Sequence, residues 1–310
     1  MSEWNPLNLA RQTSQKKRNP RERIVEQRRR RVGKVVKAVS WLSRHRPEAA
    51  ARLAEFLWTI PMRSDRPQRE SNWLRRGEAF EVSSGKGILR AWSWGSGPCV
   101  LLVHGWDGRG SQLGAMVSPL CDAGFRVVTF DSPGHGDSSG KRASLLSFAE
   151  AIDDVALVVG PLQGLVAHSF GAAASLYAIR TGLAVERVVF VGPVNAINGA
   201  DRFASFMQLS AKSTACFKRN VHESLSETYR ILSEERPLEG APPLLIYHDR
   251  GDLFVPEKDG REISKIWGNA RYVQTQGLGH HRILREATLL REVTDFLQSG
   301  GWPDRSFQPE

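Results

Sequence analysis

Between residues 32 and 60 the apolar positions recur at helical spacing: Val32, Val35, Val36, Val39 and Leu42, then, after Pro47, Ala50, Leu53, Ala54, Leu57 and Ile60. Each set forms one stripe of a 3.6-residue helix, which predicts two short amphipathic helices ending at Pro61 and packed on the main body, with a place on a membrane surface as the alternative for so basic a pair. From about residue 78 the pattern changes. Short β-rich runs at 88–94, 99–103, 126–130, 165–168, 187–191, 244–247 and 271–274 alternate with helix-length segments. Several of these runs are continuously apolar, as expected of strands covered on both faces. The expected fold is therefore α/β, a mostly parallel central sheet with helices on both faces.

The alternation breaks once. Residues 193–242 hold no clear strand and are far longer than the few residues a simple connection needs. They carry Phe203, Phe206, Met207, Leu209, Phe217, Leu225, Tyr229 and Ile231, enough apolar surface to roof a pocket, so an inserted helical lid is expected. The resulting organisation is a basic tail over 1–31, a helical extension over 32–77, a core over 78–192 and 243–300, and the lid over 193–242.

Charge changes this picture only at the head. The formal net charge is +10, and residues 1–50 supply all of it, with 14 Lys or Arg against 4 Glu, while the remainder balances 29 bases with 29 acids. A run such as Arg28 to Arg31 is expected to be a solvated tail, available for weak contact with a polyanion or an anionic membrane through residues 11–31. No specific nucleic-acid partner is implied. No apolar stretch is long enough for a membrane span. The run after the arginines is interrupted by Lys34 and Lys37, where a signal peptide needs an apolar core. Three cysteines, Cys99, Cys121 and Cys216, show no zinc-ligand spacing and form no even framework, so a reducing cytoplasm is expected and neither a disulfide framework nor a structural zinc.

The candidate chemistry sits at strand ends. The run Leu165 to His168 leads into Ser169, which has small residues two positions before and after it, Ala167 and Gly171, and then into a small-residue helix. A serine hydroxyl becomes a nucleophile when a tight turn presents it to a base, and such a turn tolerates only small neighbours. Downstream, the strand at 244–247 ends in a loop holding Asp249 and Asp252, and the strand at 271–274 leads to His280 and His281 behind Gly277 and Gly279. Open α/β sheets build their sites at these carboxyl ends. After the strand at 99–103, His104-Gly105-Trp106-Asp107-Gly108-Arg109-Gly110 can bring backbone N–H groups close to a ligand oxygen. That loop lacks both a Walker lysine and the spacing of a dinucleotide fingerprint. The loop Asp131 to Gly140, with His135, reads as structural.

With these residues in view, 87–298 resembles the α/β-hydrolase fold family, of the small bacterial serine esterase type, through HGW at 104–106, DSPGHGDSSG at 131–140, AHSFG at 167–171, GDLFVP at 251–256 and GLGHH at 277–281. The resemblance implies a Ser-His-Asp triad. Ser169 would be the nucleophile, His280 the general base and Asp252 the orienting acid, with backbone N–H groups of Trp106 and Phe170 forming the oxyanion hole. Asp252 rather than Asp249 matches the family's Asp-x-x-x-Pro form, and His280 its Gly-x-Gly-His form. Ala167 departs from the usual glycine. The family's dehalogenase branch would need aspartate at 169 and is excluded. The implied activity is hydrolysis of a small-molecule carboxylic ester through an acyl-enzyme, with no metal or organic cofactor expected. Alternatives are a thioesterase, an acyltransferase, or a non-catalytic binding protein on the same fold, recruited by its basic head.

Overall fold

The computed structural model describes residues 20–234, 238 and 240–303. Helices α1 (Pro20–His45), α2 (Pro47–Trp58) and α3 (Gln68–Leu74) precede strands β1 (Glu78–Ser84), β2 (Gly87–Trp94) and β3 (Cys99–Val103). A 3₁₀ turn over Gly110–Met116 and α4 (Val117–Asp122) lead to β4 (Arg126–Phe130), α5 (Leu145–Val159), β5 (Leu162–His168), α6 (Phe170–Arg180) and β6 (Val185–Val191). The insert contributes α7 (Gly199–Phe206), α8 (Ala211–Ser224) and α9 (Ser226–Leu232). Then follow β7 (Leu244–Asp249), α10 (Glu257–Trp267), β8 (Ala270–Thr275), α11 (Gly279–Arg282) and α12 (Ala287–Ser299).

The eight strands form one sheet in the order β1-β2-β4-β3-β5-β6-β7-β8. From β4 to β8 neighbouring strands pair in parallel, while β1 with β2 and β2 with β4 pair antiparallel. The continuous apolar runs have a direct cause: successive residues face opposite sides of the sheet, and both sides are covered. In β3, Cys99, Leu101 and Val103 join the core beneath α5, α6 and α10, which includes Phe148, Ile152 and Trp267. Val100 and Leu102 join the opposite core, with Leu113, Leu120 and Phe296 from the side of α4 and α12. Every strand named from the sequence is present. Strand β1 was not anticipated, because it is an edge strand in which only Val82 is buried, so its pattern is mixed.

Two expectations about the head need correction. Helix α1 starts at Pro20 rather than Val32, so residues 20–31 are helical rather than tail, and only 1–19 of the expected tail remain, outside the described residues. Nothing upstream of Val32 shows apolar periodicity. The helix continues there on residues of good intrinsic propensity, Arg, Glu and Gln, behind a proline at its first position, where the missing N–H costs nothing. The second correction concerns packing. Helices α1 and α2 pack chiefly on the insert: Ala51 and Ala54 of α2 bury against Ala200, Ala204, Phe217 and Val221, and Val36 and Val39 of α1 bury with Met207. Ser43 is the junction. Its Oγ accepts from the Ser210 N–H at 3.0 Å, and its carbonyl accepts from the Ser210 and Ser213 hydroxyls at 2.8 and 3.0 Å. Extension and insert thus make one helical cap over the carboxyl ends of the strands. Among the described residues no helix is long and apolar enough to cross a membrane.

Candidate active site

Between the end of β5 and the start of α6 the backbone reverses on a single residue. Ser169 has φ +56 and ψ −120, a conformation that costs a non-glycine residue about 1–3 kcal/mol and persists only where packing enforces it. Close packing is visible on both sides. A Cβ on Gly105 would lie 2.8 Å from the Ser169 Cβ, and one on Gly171 would run into the His104 carbonyl. Ala167, in the place of the usual glycine, is fully buried in β5.

The loops after β7 and β8 bring the other two groups to this turn. His280 Nε2 lies 2.9 Å from Ser169 Oγ, and His280 Nδ1 lies 2.6 Å from Asp252 Oδ2. With Nδ1 donating to the carboxylate, the Nε2 lone pair faces the serine hydroxyl. The other oxygen of Asp252 accepts from the N–H groups of Phe254 and Val255 at 2.8 and 3.0 Å. Burial alone would raise this carboxyl, but the His280 ring and those two N–H groups more than offset it, so Asp252 is held below the usual carboxylate range. Asp249 has a different task. It accepts from Gly251 N–H, Thr275 Oγ1 and Leu278 N–H at 2.9–3.0 Å, tying the two loops together.

Two further residues, unremarked in the sequence, complete this arrangement. His168 donates from Nε2 to the His280 carbonyl at 2.9 Å, and burial, with His280 and His281 nearby, pushes its basicity well below the ordinary value. A neutral ring thereby fixes the backbone of His280. Gly192, at φ +55, passes so close that a Cβ would lie 3.2 Å from His280 Nδ1. His281 is exposed, and its ring meets those of His168, Phe254 and His280.

Phe170 is the first residue of α6, so its N–H belongs to the unpaired donors at a helix N-terminus, where the dipole favours negative charge. Trp106 lies in the loop after β3, and its ring meets that of Phe170 edge-on at 5.2 Å. Two neutral histidines brace this loop. His104 donates from Nδ1 to Gly105 O at 2.7 Å and accepts from Ser132 N–H at 2.9 Å. His135 accepts from Asp107 N–H at 3.2 Å while its Nδ1 donates to Pro133 O at 2.9 Å. Burial lowers their pKa values to about 3 and about 4. His135 is therefore structural, as its loop suggested.

The extension locks the same loops from outside, which sequence patterning gave no means to see. Met62 N–H donates to Asp107 Oδ1 at 2.5 Å. Arg63 donates to the carbonyls of Gly134, Ser138 and Gly140 at 2.6–2.9 Å. Buried Glu70 pairs with buried Arg109 at 2.6 Å and accepts from Ser111 Oγ at 2.8 Å. Beside Trp106 and Phe170, between cap and core, lies a mainly apolar cavity of about 210 Å³. Trp58 of the extension, Leu145 of the core and Leu225, Tyr229 and Leu232 of the insert line it. Helix α5 is fixed at its mouth by a capping box, in which Ser144 and Ser147 exchange side-chain and backbone hydrogen bonds. Among the described residues no group of three or more His, Cys, Asp or Glu is placed to hold a metal ion.

A family model described as "Alpha/beta hydrolase family" matches residues 100–292. Among curated proteins, human protein ABHD12B is 25% identical over 220 residues, 64% of this chain and 60% of that protein. The pimeloyl-[acyl-carrier protein] methyl ester esterase of Aromatoleum aromaticum is 36% identical over 75 residues, 23% of this chain and 30% of that enzyme. The chain thus spans 60% of the first relative's length and 30% of the second's. Among solved structures, a Pyrococcus furiosus esterase superposes with a TM-score of 0.58 at 17% identity, covering 77% of this chain and 98% of that one. The Butyrivibrio proteoclasticus protein Est1E, solved with ferulic acid, gives 0.57 at 18% identity, covering 72% and 97%. At such identities these structures speak for the fold alone. With the family model spanning well over half of the sequence, on the sheet that carries Ser169, Asp252 and His280, the chain belongs to the alpha/beta hydrolase family.

Proposed function

We propose that this protein is a serine hydrolase that cleaves a carboxylic ester through an acyl-enzyme. The observation that carries the reading is the continuous contact from Asp252 through His280 to a serine strained into a sharp turn. Ser169 Oγ attacks the ester carbonyl as His280 Nε2 takes its proton, and Asp252 steadies the imidazolium. The oxyanion that forms is held by the N–H groups of Phe170 and Trp106. On collapse, His280 returns the proton to the departing alcohol. Water then attacks the acyl-serine by the same route, releasing the acid and restoring the hydroxyl.

The cavity beside Trp106 and Phe170 suits an apolar portion of the substrate, closed in by the cap. An ester, rather than a thioester or amide, is the choice favoured by the relative named as a methyl ester esterase. A cytoplasmic location is part of the proposal: Cys99, Cys121 and Cys216 are all free thiols, in keeping with a reducing compartment.

The test is hydrolysis of p-nitrophenyl esters of increasing acyl length by the wild-type protein and Ser169→Ala, with labelling by a fluorophosphonate probe. Turnover and labelling should both vanish in the variant while its circular dichroism is unchanged. A folded Ser169→Ala protein that kept most of its turnover would overturn the proposal.

A further inference from the structure

The outer face of α1 has a composition that the catalytic reading leaves unused. Its inner face is fixed, with Val36 and Val39 buried with Met207 and Ser43 bonded to Ser210, so the outer face has one defined orientation. On that outer face Val35, Ala38 and Trp41 recur every third residue, all exposed, with Trp41 61% exposed. Beside them runs a second stripe, Arg31, Lys34 and Lys37, also exposed, continued by Arg44. Between residues 30 and 45 there is no acidic residue, and the first to follow is Glu48 on α2.

A solvated surface helix usually mixes charges of both signs and hides its tryptophan. Here one sign flanks an exposed apolar stripe. That is the arrangement of a helix lying in the headgroup layer of a bilayer, where tryptophan is at home in the interface and lysine or arginine stems reach past the apolar face to lipid phosphates. Charge complementarity selects an anionic surface, since each base near such a surface adds attraction and no acid opposes it. A nucleic acid would use the bases equally well but would leave Val35 and Ala38 without a partner. Helix α1 also belongs to the cap over the cavity, so docking through this face would hold the cap, and the cavity beneath it, at the membrane.

We propose that the outer face of α1 is a docking surface for an anionic lipid bilayer, with Trp41 as its interfacial anchor and Arg31, Lys34, Lys37 and Arg44 as its phosphate contacts.

The experiment is co-sedimentation of the full chain with vesicles of phosphatidylcholine alone or with about a third phosphatidylglycerol, at low and high salt, with heparin binding and turnover of a small soluble ester measured in parallel. The wild-type protein should bind the anionic vesicles, lose that binding in high salt, and ignore phosphatidylcholine. Trp41→Ala should weaken vesicle binding by about ten-fold or more while heparin binding stays within two-fold. Lys34→Glu with Lys37→Glu should weaken both. Ester turnover and melting temperature should be unchanged in these variants, since all three positions are exposed and outside the cavity. Three results would overturn the proposal. One is wild-type protein that stays in solution with anionic vesicles. Another is vesicle binding indifferent to Trp41→Ala, which would mean a plain polyanion site. The third is binding indifferent to the double charge reversal, which would place the contact elsewhere.

Discussion

Glu70 and Arg109 form a buried ion pair between the extension and the loop that carries Trp106, and its disruption has a calculable cost. In Glu70→Ala the Arg109 guanidinium would lose the carboxylate at 2.6 Å, and Ser111 Oγ its acceptor at 2.8 Å. Removing one partner of a buried pair costs about 3–5 kcal/mol, because the survivor remains charged and out of water. Here Arg109 keeps neutral acceptors, the Ser64 carbonyl and hydroxyl and the Asp65 carbonyl at 2.9–3.2 Å, which places the loss at the low end, about 3 kcal/mol. For a protein of 310 residues that corresponds to a fall of about 5 °C in melting temperature. Thermal and urea unfolding measure it. Replacing both partners by apolar residues, Glu70→Leu with Arg109→Met, should recover most of the loss, since the penalty belongs to the unpaired charge. Ester turnover by Glu70→Ala at a permissive temperature should fall by less than about ten-fold, because Met62, His135 and Asp131 still hold the loop. A loss below about 1 kcal/mol would refute the view that the extension is stapled to the core through this pair.

Three further outcomes follow from the site. His280→Ala should abolish turnover while His281→Ala keeps most of it, and the reverse result in a steady-state ester assay would shift the loop's assignment by one residue. Gly192→Ala should lower kcat by about ten-fold or more with KM little changed, because its φ is positive and a Cβ there crowds the His280 Nδ1 that faces Asp252; unchanged kcat would show that the ring has room to move. Acid should destabilise the fold early: His104, His135 and His168 are buried with lowered pKa values, so the unfolded chain takes up protons below about pH 6.5 that the native state refuses. At about 1.4 kcal/mol per pH unit for each, stability should fall by about 4 kcal/mol per unit near pH 5, partly offset by Asp131 and Asp259, which burial pushes up. Urea midpoints that stay flat between about pH 6 and pH 4 would contradict this.

The sequence by itself determined the α/β class, the parallel strands and the positions of the chemical groups. These are local properties: a strand buried on both faces must be apolar at consecutive positions, a sharp turn around Ser169 must have small neighbours, and loops that present Asp252 and His280 must follow strands. It also narrowed the carboxylate to two residues, with the family's spacing favouring Asp252. Tertiary structure decided what depends on contact between distant segments. Asp249 and Asp252 are alike in sequence, yet one knits two loops through backbone N–H groups while the other faces His280. The partners of α1 and α2 could not be read either, since small apolar residues such as Ala51 and Ala54 record only that they are covered; the covering surface proved to be the insert. Nor does any pattern distinguish Arg63, Glu70 and Arg109 from solvated charges until folding carries residues 61–74 across the loops of the site. Burial then turns ordinary charges into fixed contacts, because groups withdrawn from water must find partners.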